Sequence, residues 1–171
     1  MIKLNSLSHY NLTDTENGYA FTTDFGNEYL VTFSDLTDII GLTGLRIYDF
    51  GIEIAKRNSF ENDKSQHKLK NTIAYLLAKL FSKQPDCALL IVLDSSDGKQ
   101  QARYRMFLSA KHDSWFSHFN NGNLEIVNLP LKTEEIQYTC FLLLRRTNPR
   151  LKDIQTATAY YLNLSFDEND I

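Results

Sequence analysis

The sequence predicts a mixed α/β (α+β) fold in which one mostly antiparallel sheet carries helices on its faces. Three observations support this prediction. Segments between residues 19 and 55 alternate apolar and polar residues, which is typical of antiparallel strands with one buried face. Apolar residues at helical spacing predict an amphipathic helix over 64–83. Two runs, 87–93 and 138–144, are largely apolar and indicate strands covered on both faces.

The first part of the chain predicts a three-strand meander. Residues 1–18 are polar and aperiodic, so we expect an N-terminal arm. Residues 19–24 and 28–33 flank the turn residues Phe-Gly-Asn and predict a hairpin. A helical turn could lie within 34–44. The third strand, 45–55, alternates so strictly that we expect an antiparallel neighbour.

The middle of the chain predicts a strand–helix–strand crossover followed by a second helix. Because a helix connects them, the strand at 45–55 and the strand at 87–93 are expected to be parallel. A further helix is predicted over 98–110. Its expected buried stripe is Ala102, Met106, Phe107 and Ala110. A short helix carrying Trp115, Phe116 and Phe119 is expected next.

The last third predicts two strands, Leu124–Leu129 and Ile136–Arg146, and a final helix entered at Asn148-Pro149. In that helix Leu151, Ile154, Thr158 and Tyr161 recur at helical spacing, and a strand over Thr156–Ser165 is the alternative. The element order is therefore βββ-α-β-α-β-β-α. We expect one domain over 1–171 that ends in a flexible acidic tail, 166–171.

Composition limits the classes of partner. The net charge of −3 and the pI of about 5.8 argue against general attraction to nucleic acid or membranes. No signal peptide and no apolar run of membrane-spanning length is visible, so a cytoplasmic location is expected. Cys87 and Cys140 lie in or beside apolar runs, which predicts buried free thiols, although a disulfide stays open.

The polar loop after the strand at 87–93 is the best candidate for a ligand site, because open α/β sheets bind ligands at the carboxyl ends of their strands. Asp94 and Asp97 could bind a cation or a ligand hydroxyl. The following helix start, with Arg103 one turn on, could hold an anion. The alternative is structural: Asp97 caps the helix and Asp94 pairs with a nearby arginine. The predicted ligand-binding residues are Lys56, Arg57, Asp94, Ser95, Ser96, Asp97 and Arg103.

Lys56 and Arg57 are included because they end the third strand. If that strand is parallel to the strand at 87–93, they should lie beside Asp94, and mixed charges there would suit a polar metabolite or a phosphate. A surface cluster of ion pairs is the alternative. No catalytic residue is assigned, since no hydrolase, P-loop or dinucleotide motif is present, and the four histidines lack metal-ligand spacing.

A basic surface is a separate candidate. Residues 97–152 carry nine Lys and Arg against five Asp and Glu. The C-terminal members of this group are Arg145, Arg146, Arg150 and Lys152. Such a surface could bind nucleic acid if exposed aromatic residues were interleaved with it, but the overall charge disfavours this function. Exposed edge strands of the predicted sheet could also pair across a homodimer.

The element order resembles the core of the GCN5-related N-acetyltransferase fold over about residues 19–146. That resemblance implies binding of a coenzyme A (CoA) thioester. Those enzymes hold its pyrophosphate on a Gln/Arg-x-x-Gly-x-Gly/Ala turn at the first crossover helix. The matching segment here, Lys56–Lys64, contains no glycine. The cofactor is therefore unknown, with a CoA thioester as the candidate that lacks a glycine-rich motif.

Two residue patterns resemble an uncharacterised family of small bacterial proteins, a domain of unknown function. The patterns are Tyr19-x-Phe21-x-Thr23-x-x-Gly26-x-x-Tyr29-x-Val31-x-Phe33 and Asp94-x-x-Asp97-x-x-x-x-x-Arg103-x-x-x-Phe107. This resemblance covers nearly the whole chain and implies no activity. The leading hypothesis is an acetyltransferase-like domain that binds a small ligand or a protein partner. The alternatives are an active CoA-dependent N-acyltransferase and a module that binds nucleic acid or protein.

Overall fold

The computed structural model describes residues 8–59, 66–93, 98–108, 123–132 and 137–167. The strands are β1 (Thr13–Thr15), β2 (Gly18–Thr22), β3 (Glu28–Asp35), β4 (Ile47–Lys56), β5 (Ala88–Leu93), β6 (Leu124–Lys132) and β7 (Gln137–Arg145). The helices are α1 (Thr37–Ile40), α2 (Gln66–Lys83), α3 (Gln100–Leu108) and α4 (Leu151–Asp167). The described strands form one sheet in the order β1-β2-β3-β4-β5-β7-β6. Only the β4–β5 pair is parallel, so the predicted mixed, mostly antiparallel sheet is confirmed.

The N-terminal part of the sheet is an antiparallel meander, as the alternating pattern predicted. Phe21 and Val31 are buried on the same face, because paired strands alternate their side chains together. The expected N-terminal arm differs in one respect: Thr13–Thr15 pair with β2 as a short edge strand. These three residues are exposed and polar, so their pairing through the backbone leaves no hydrophobic pattern in the sequence.

Helix α2 covers one face of the sheet with the predicted apolar stripe. Leu69, Ile73, Leu76 and Leu77 are buried against the sheet. Burial of a side chain of this size stabilises the fold by about 1.5–3 kcal/mol. Because α2 connects β4 to β5, it begins at the carboxyl ends of both strands.

Helix α4 covers the opposite face, where Ile154 and Leu162 pack in a cluster with Ile47 and Leu142. The prediction of a helix after Asn148-Pro149 is confirmed, and the alternative strand over Thr156–Ser165 is wrong. The entry is fixed because the Asn148 side-chain oxygen accepts a hydrogen bond from the Arg150 backbone N–H at 2.9 Å.

Helix α3 differs from its predicted buried stripe. Phe107 is buried, but Ala102 and Met106 are exposed. The physical reason is geometric: Tyr104, three residues before Phe107, shares its face and packs against the core, whereas Met106 is about 100° away around the helix. The predicted short helix around residues 115–119 lies outside the described residues.

Both cysteines are buried and free, as predicted. Cys87 belongs to the apolar cluster under α2, and Cys140 belongs to the cluster under α4. The sheet therefore separates the two thiols.

Candidate ligand-binding site

The sheet opens where β4 and β5 meet. These strands pair only where Ile47, Tyr48 and Asp49 face Ala88, Leu89 and Leu90. Beyond these pairs, β4 continues for seven residues along β3, and β5 continues for three residues along β7. Residues 50–56 and 91–93 therefore diverge, and neither segment has a strand partner on the facing edge among the described residues. We call this opening the β4–β5 fork.

The fork presents backbone hydrogen-bonding groups. In an antiparallel pair, alternate residues direct both N–H and C=O toward the partner strand, and the residues between them direct both groups away. Over 50–54, alternate residues therefore turn their backbone groups toward the fork instead of toward β3, and a bulge that leaves Ala55 unpaired interrupts the alternation before Lys56. Backbone groups inside a sheet need a partner, so the fork can accept an extended ligand or ordered water.

Asp49 stands at the closed end of the fork, in the last parallel pair. It is partly buried, and this burial raises the pKa of its carboxyl group above the usual value of 3.8. The next residue on the same face is Gly51, where an added Cβ would come within 2.5 Å of Thr32 Oγ1. Glu53 follows on that face and is exposed. Two carboxylates thus flank a position that has no side chain.

Lys56 and Arg57, two of the predicted site residues, lie at the open end of the fork. Lys56 Nζ is 3.2 Å from Glu28 Oε1 on β3, and both side chains are exposed. Counting from the last parallel pair, Leu93 is level with Ile52, so Lys56 lies about 13 Å farther along the strand direction. Asp94, Ser95, Ser96 and Asp97 lie outside the described residues, so their place beside Lys56 stays a prediction.

The chain that leaves β4 is fixed by the β2–β3 turn. Asn27 is buried, and its Oδ1 accepts hydrogen bonds from the backbone N–H groups of Asn58 at 2.9 Å and Ser59 at 3.0 Å. The Asn58 side chain donates in return to the Phe25 carbonyl oxygen at 3.0 Å. Sequence reasoning identified this segment as a turn but missed Asn27 as the residue that positions Arg57. In the sequence, an asparagine that only forms a turn looks the same as one that also binds a neighbouring segment.

A buried lysine was also missed. Lys70, in the second turn of α2, is only 3% exposed and shares a helix row with the buried residues Ala74 and Leu77. Lysines are almost never fully buried without a polar partner, so this residue marks a polar environment beneath α2. In the sequence, the helical spacing of Lys70 from Ala74 and Leu77 was the signal that could have indicated its burial. Arg103, the third described member of the predicted site, is half-buried on α3, which packs against β5.

The C-terminal arginines each have partners within the protein. Arg145 donates to the Phe81 carbonyl oxygen at 2.9 Å, and Arg146 pairs with Glu125 at 3.0 Å. Arg150 pairs with Asp153 and donates to the Thr43 carbonyl oxygen. Each guanidinium group is thus engaged by the protein itself, which weakens the case for nucleic acid as the partner.

Comparison with protein families gives a match over residues 65–159, more than half of the 171-residue chain, to the model described as "Family of unknown function (DUF6169)". The chain belongs to this family. The resemblance to an uncharacterised family is thereby confirmed. The DUF6169 match includes Lys70, β5 and Arg103, and therefore one side of the fork. Comparison with curated proteins found no match, and neither did comparison with solved structures. None of the helices in the described ranges is long and apolar enough to cross a membrane.

Proposed function

We propose that this DUF6169 protein is a small-ligand-binding domain with acetyltransferase-like topology, and that its ligand lies in the β4–β5 fork. The observation that carries the proposal is the single parallel pair of the described sheet, which opens after three residue pairs. A gap of this kind in the middle of a sheet exposes two strand edges to one ligand. Extended chains bind such edges through main-chain hydrogen bonds.

The ligand class that fits best is a CoA thioester. Its long arm contains two amide groups, which can pair with the free backbone groups of β4 or β5 as an added strand would. Its phosphates are anionic and would be attracted to Lys56 and Arg57 at the open end of the fork. Because segment 56–64 has no glycine, phosphate binding would depend on these side chains instead of a tight backbone turn.

The first experiment measures binding of acetyl-CoA and CoA by thermal shift and calorimetry. Ligand at a hundred times its Kd should stabilise the native state by about 2.7 kcal/mol. Hydrogen exchange of residues 50–56 should slow, whereas exchange in the β6–β7 pair should not change. Adenosine 3′,5′-bisphosphate, which lacks the amide-containing arm, should leave exchange in 50–56 unchanged. Absence of both stabilisation and protection with acetyl-CoA would contradict the proposed ligand.

A pair of arginine variants tests the open end of the fork. Arg57→Ala should weaken acetyl-CoA binding about ten- to a hundredfold, because a charge-assisted contact to phosphate contributes about 1.5–3 kcal/mol. Arg46→Ala is the matched control, since Arg46 is exposed and pairs with Asp35 away from the fork. Equal affinities for the two variants would place the ligand elsewhere.

N-acyl transfer is the second candidate function, and Asp49 favours it. A carboxylate with a raised pKa at the closed end of the fork could accept a proton as a substrate amine attacks the thioester carbonyl. The C–N bond forms, the C–S bond breaks, and CoA leaves as the thiol after protonation. Asp49→Asn should then abolish thiol release from acetyl-CoA with a mixture of primary amines, while acetyl-CoA affinity is kept. If Asp49→Asn keeps both thiol release and acetyl-CoA affinity, Asp49 is not the base.

A further inference from the structure

We propose that the outer edge of β6 pairs with β6 of a second copy of the chain, which joins two sheets in an antiparallel homodimer. β6 ends the sheet and bonds only to β7 among the described strands. It is nine residues long, so the edge is longer than the short edge strand β1 at the other end. Long strand edges of this kind are templates for pairing with another chain.

One hydrogen bond decides which residues of β6 face outward. The Arg146 backbone N–H donates to the Asn123 carbonyl oxygen at 2.9 Å, so Asn123 turns toward β7. The β6–β7 register is continuous, and backbone direction alternates along an antiparallel strand. Odd-numbered residues of β6 therefore bond to β7, and Ile126, Asn128 and Pro130 turn toward the outer edge. Pro130 fits this assignment, because a proline lacks the N–H and is tolerated on the outer side of an edge strand.

The outward residues are complementary to themselves. Ile126 and Asn128 flank Val127, so a two-fold axis at Val127 places Ile126 of each copy opposite Asn128 of the other. Each of these two pairs can exchange two backbone hydrogen bonds, which is the pattern of an antiparallel ladder. In this register Pro130 lies opposite Leu124 of the other copy, where it offers only its carbonyl oxygen, so the complete two-bond pairs of the ladder are those of Ile126 with Asn128.

The surface beside this edge also suits a second copy. A groove of about 720 Å³ lies between β6 and α4 and is lined by Asn128, Leu129, Ala159, Tyr160 and Leu162, among others. Lys152 is the one charged side chain among the described lining residues, so the groove lacks the cluster of cations that nucleic acid or an acidic peptide would need. Tyr160 is 65% exposed, and the two-fold axis brings the corresponding α4 surfaces to the same side of the joined sheet. Exposed tyrosines of this kind are enriched in protein interfaces.

The oligomeric state of the full chain tests the proposal. Light scattering after gel filtration should give the mass of a dimer, twice 19.8 kDa. Ile126→Pro removes an N–H that faces the outer edge and makes no bond to β7. This variant should be a monomer. Ile126→Ala is the matched control, because it loses the same side chain but keeps the N–H, and it should stay dimeric. A monomeric native chain would overturn the proposal, as would a dimeric Ile126→Pro variant that retains the native circular dichroism spectrum.

Cross-linking tests the register. In the proposed dimer the two Val127 residues face each other in a non-hydrogen-bonded pair, where Cα atoms are about 4.5 Å apart and a disulfide is allowed. Val127→Cys should cross-link on mild oxidation, whereas Ile126→Cys, which faces Asn128, should not. The native thiols are buried and do not compete. Cross-linking of the Ile126→Cys variant alone would contradict the two-fold axis at Val127.

Discussion

Some buried polar side chains of this protein make hydrogen bonds that link distant segments, and others do not. The Asn27 amide oxygen accepts two backbone hydrogen bonds, and the Asn148 side chain donates to the Asp86 carbonyl oxygen at 2.9 Å. Each asparagine thus links segments that are distant in sequence. Thr158 is fully buried in α4, yet its hydroxyl oxygen has no hydrogen-bond partner within the described residues. Asp49 is partly buried, and among the described residues no neighbouring cation lowers its pKa.

Replacing the Thr158 hydroxyl with a methyl group should stabilise the protein. Thr158→Val keeps the shape and the branching of the side chain but removes an unpaired polar group, whose burial costs about 1–3 kcal/mol. We expect the free energy of unfolding in urea to rise by about 1 kcal/mol. Thr156→Val, on the exposed side of the same helix, should change it by less than about 0.5 kcal/mol. Equal changes in both variants would show that the buried hydroxyl has no cost.

Asp49 should make stability depend on pH in a defined direction. Its pKa is higher in the folded state than in the unfolded chain, so the folded state holds the proton more tightly. The free energy of unfolding therefore falls as pH rises from about 3.9, the unfolded value, through the folded pKa. Asp49→Asn removes this loss and should be more stable than the native protein at pH 7.

The control for this pH dependence lies on the same strand. Glu53→Gln, which changes an exposed carboxylate, should not give the same gain at pH 7. Denaturation curves at pH 7 and below pH 3.9 measure both variants. If the advantage of Asp49→Asn persists at the lower pH, where the native carboxyl group is protonated in both states, then the gain does not come from ionisation.

At the scale of elements, the periodicity of the sequence predicted whether each segment is a helix or a strand. It did not predict where two paired strands stop pairing. The alternation of β4 runs unchanged from Tyr48 to Ile54, so the paired and unpaired halves of this strand look alike in the sequence. The parallel pairing with β5 followed from the connecting helix, whereas its end after Asp49 has no counterpart in the sequence pattern. The same limit explains why Lys70 and Asn27 were missed, since their burial depends on neighbours from other elements.

The close approach of β3 and β4 predicts a steric effect at Gly51. In Gly51→Ala the new methyl group would lie 2.5 Å from Thr32 Oγ1, so the Thr32 side chain must rotate or a strand must shift. We expect the free energy of unfolding to fall by about 1–3 kcal/mol, the usual cost of overpacking. Adding Thr32→Ala should recover most of this loss, which a double-mutant cycle measures. Simple additivity of the two substitutions would contradict the contact.

At the scale of the whole molecule, the sheet separates two apolar clusters, and each contains one cysteine. Burial raises the pKa of the Cys87 thiol to about 12 and that of the Cys140 thiol to about 11. Because the thiolate is the nucleophile, neither residue should react in the folded state at neutral pH. The local apolar pattern predicted this burial, since both cysteines lie in or beside strand-like apolar runs.

Thiol labelling should therefore report opening of each cluster. We expect labelling by a disulfide reagent to be slow in native buffer and complete within seconds in denaturant, where both pKa values return to the ordinary range. The single variants Cys87→Ala and Cys140→Ala assign each rate to one face of the sheet. Equal rates would indicate that the two faces open together, whereas rapid labelling of either native thiol would contradict its burial.

The three residue pairs between β4 and β5 have a consequence for cooperativity. They are the one hydrogen-bonded ladder between the β1–β4 meander and the β5–β7 strands in the described sheet, so the two halves share few backbone bonds. Units that share few backbone hydrogen bonds, even when they share apolar clusters, can open at different free energies, as separate steps of partial unfolding. A molecule that bonded to both free edges would join the halves into one unit. Its binding would then be visible as a sharper unfolding transition, apart from any rise in midpoint.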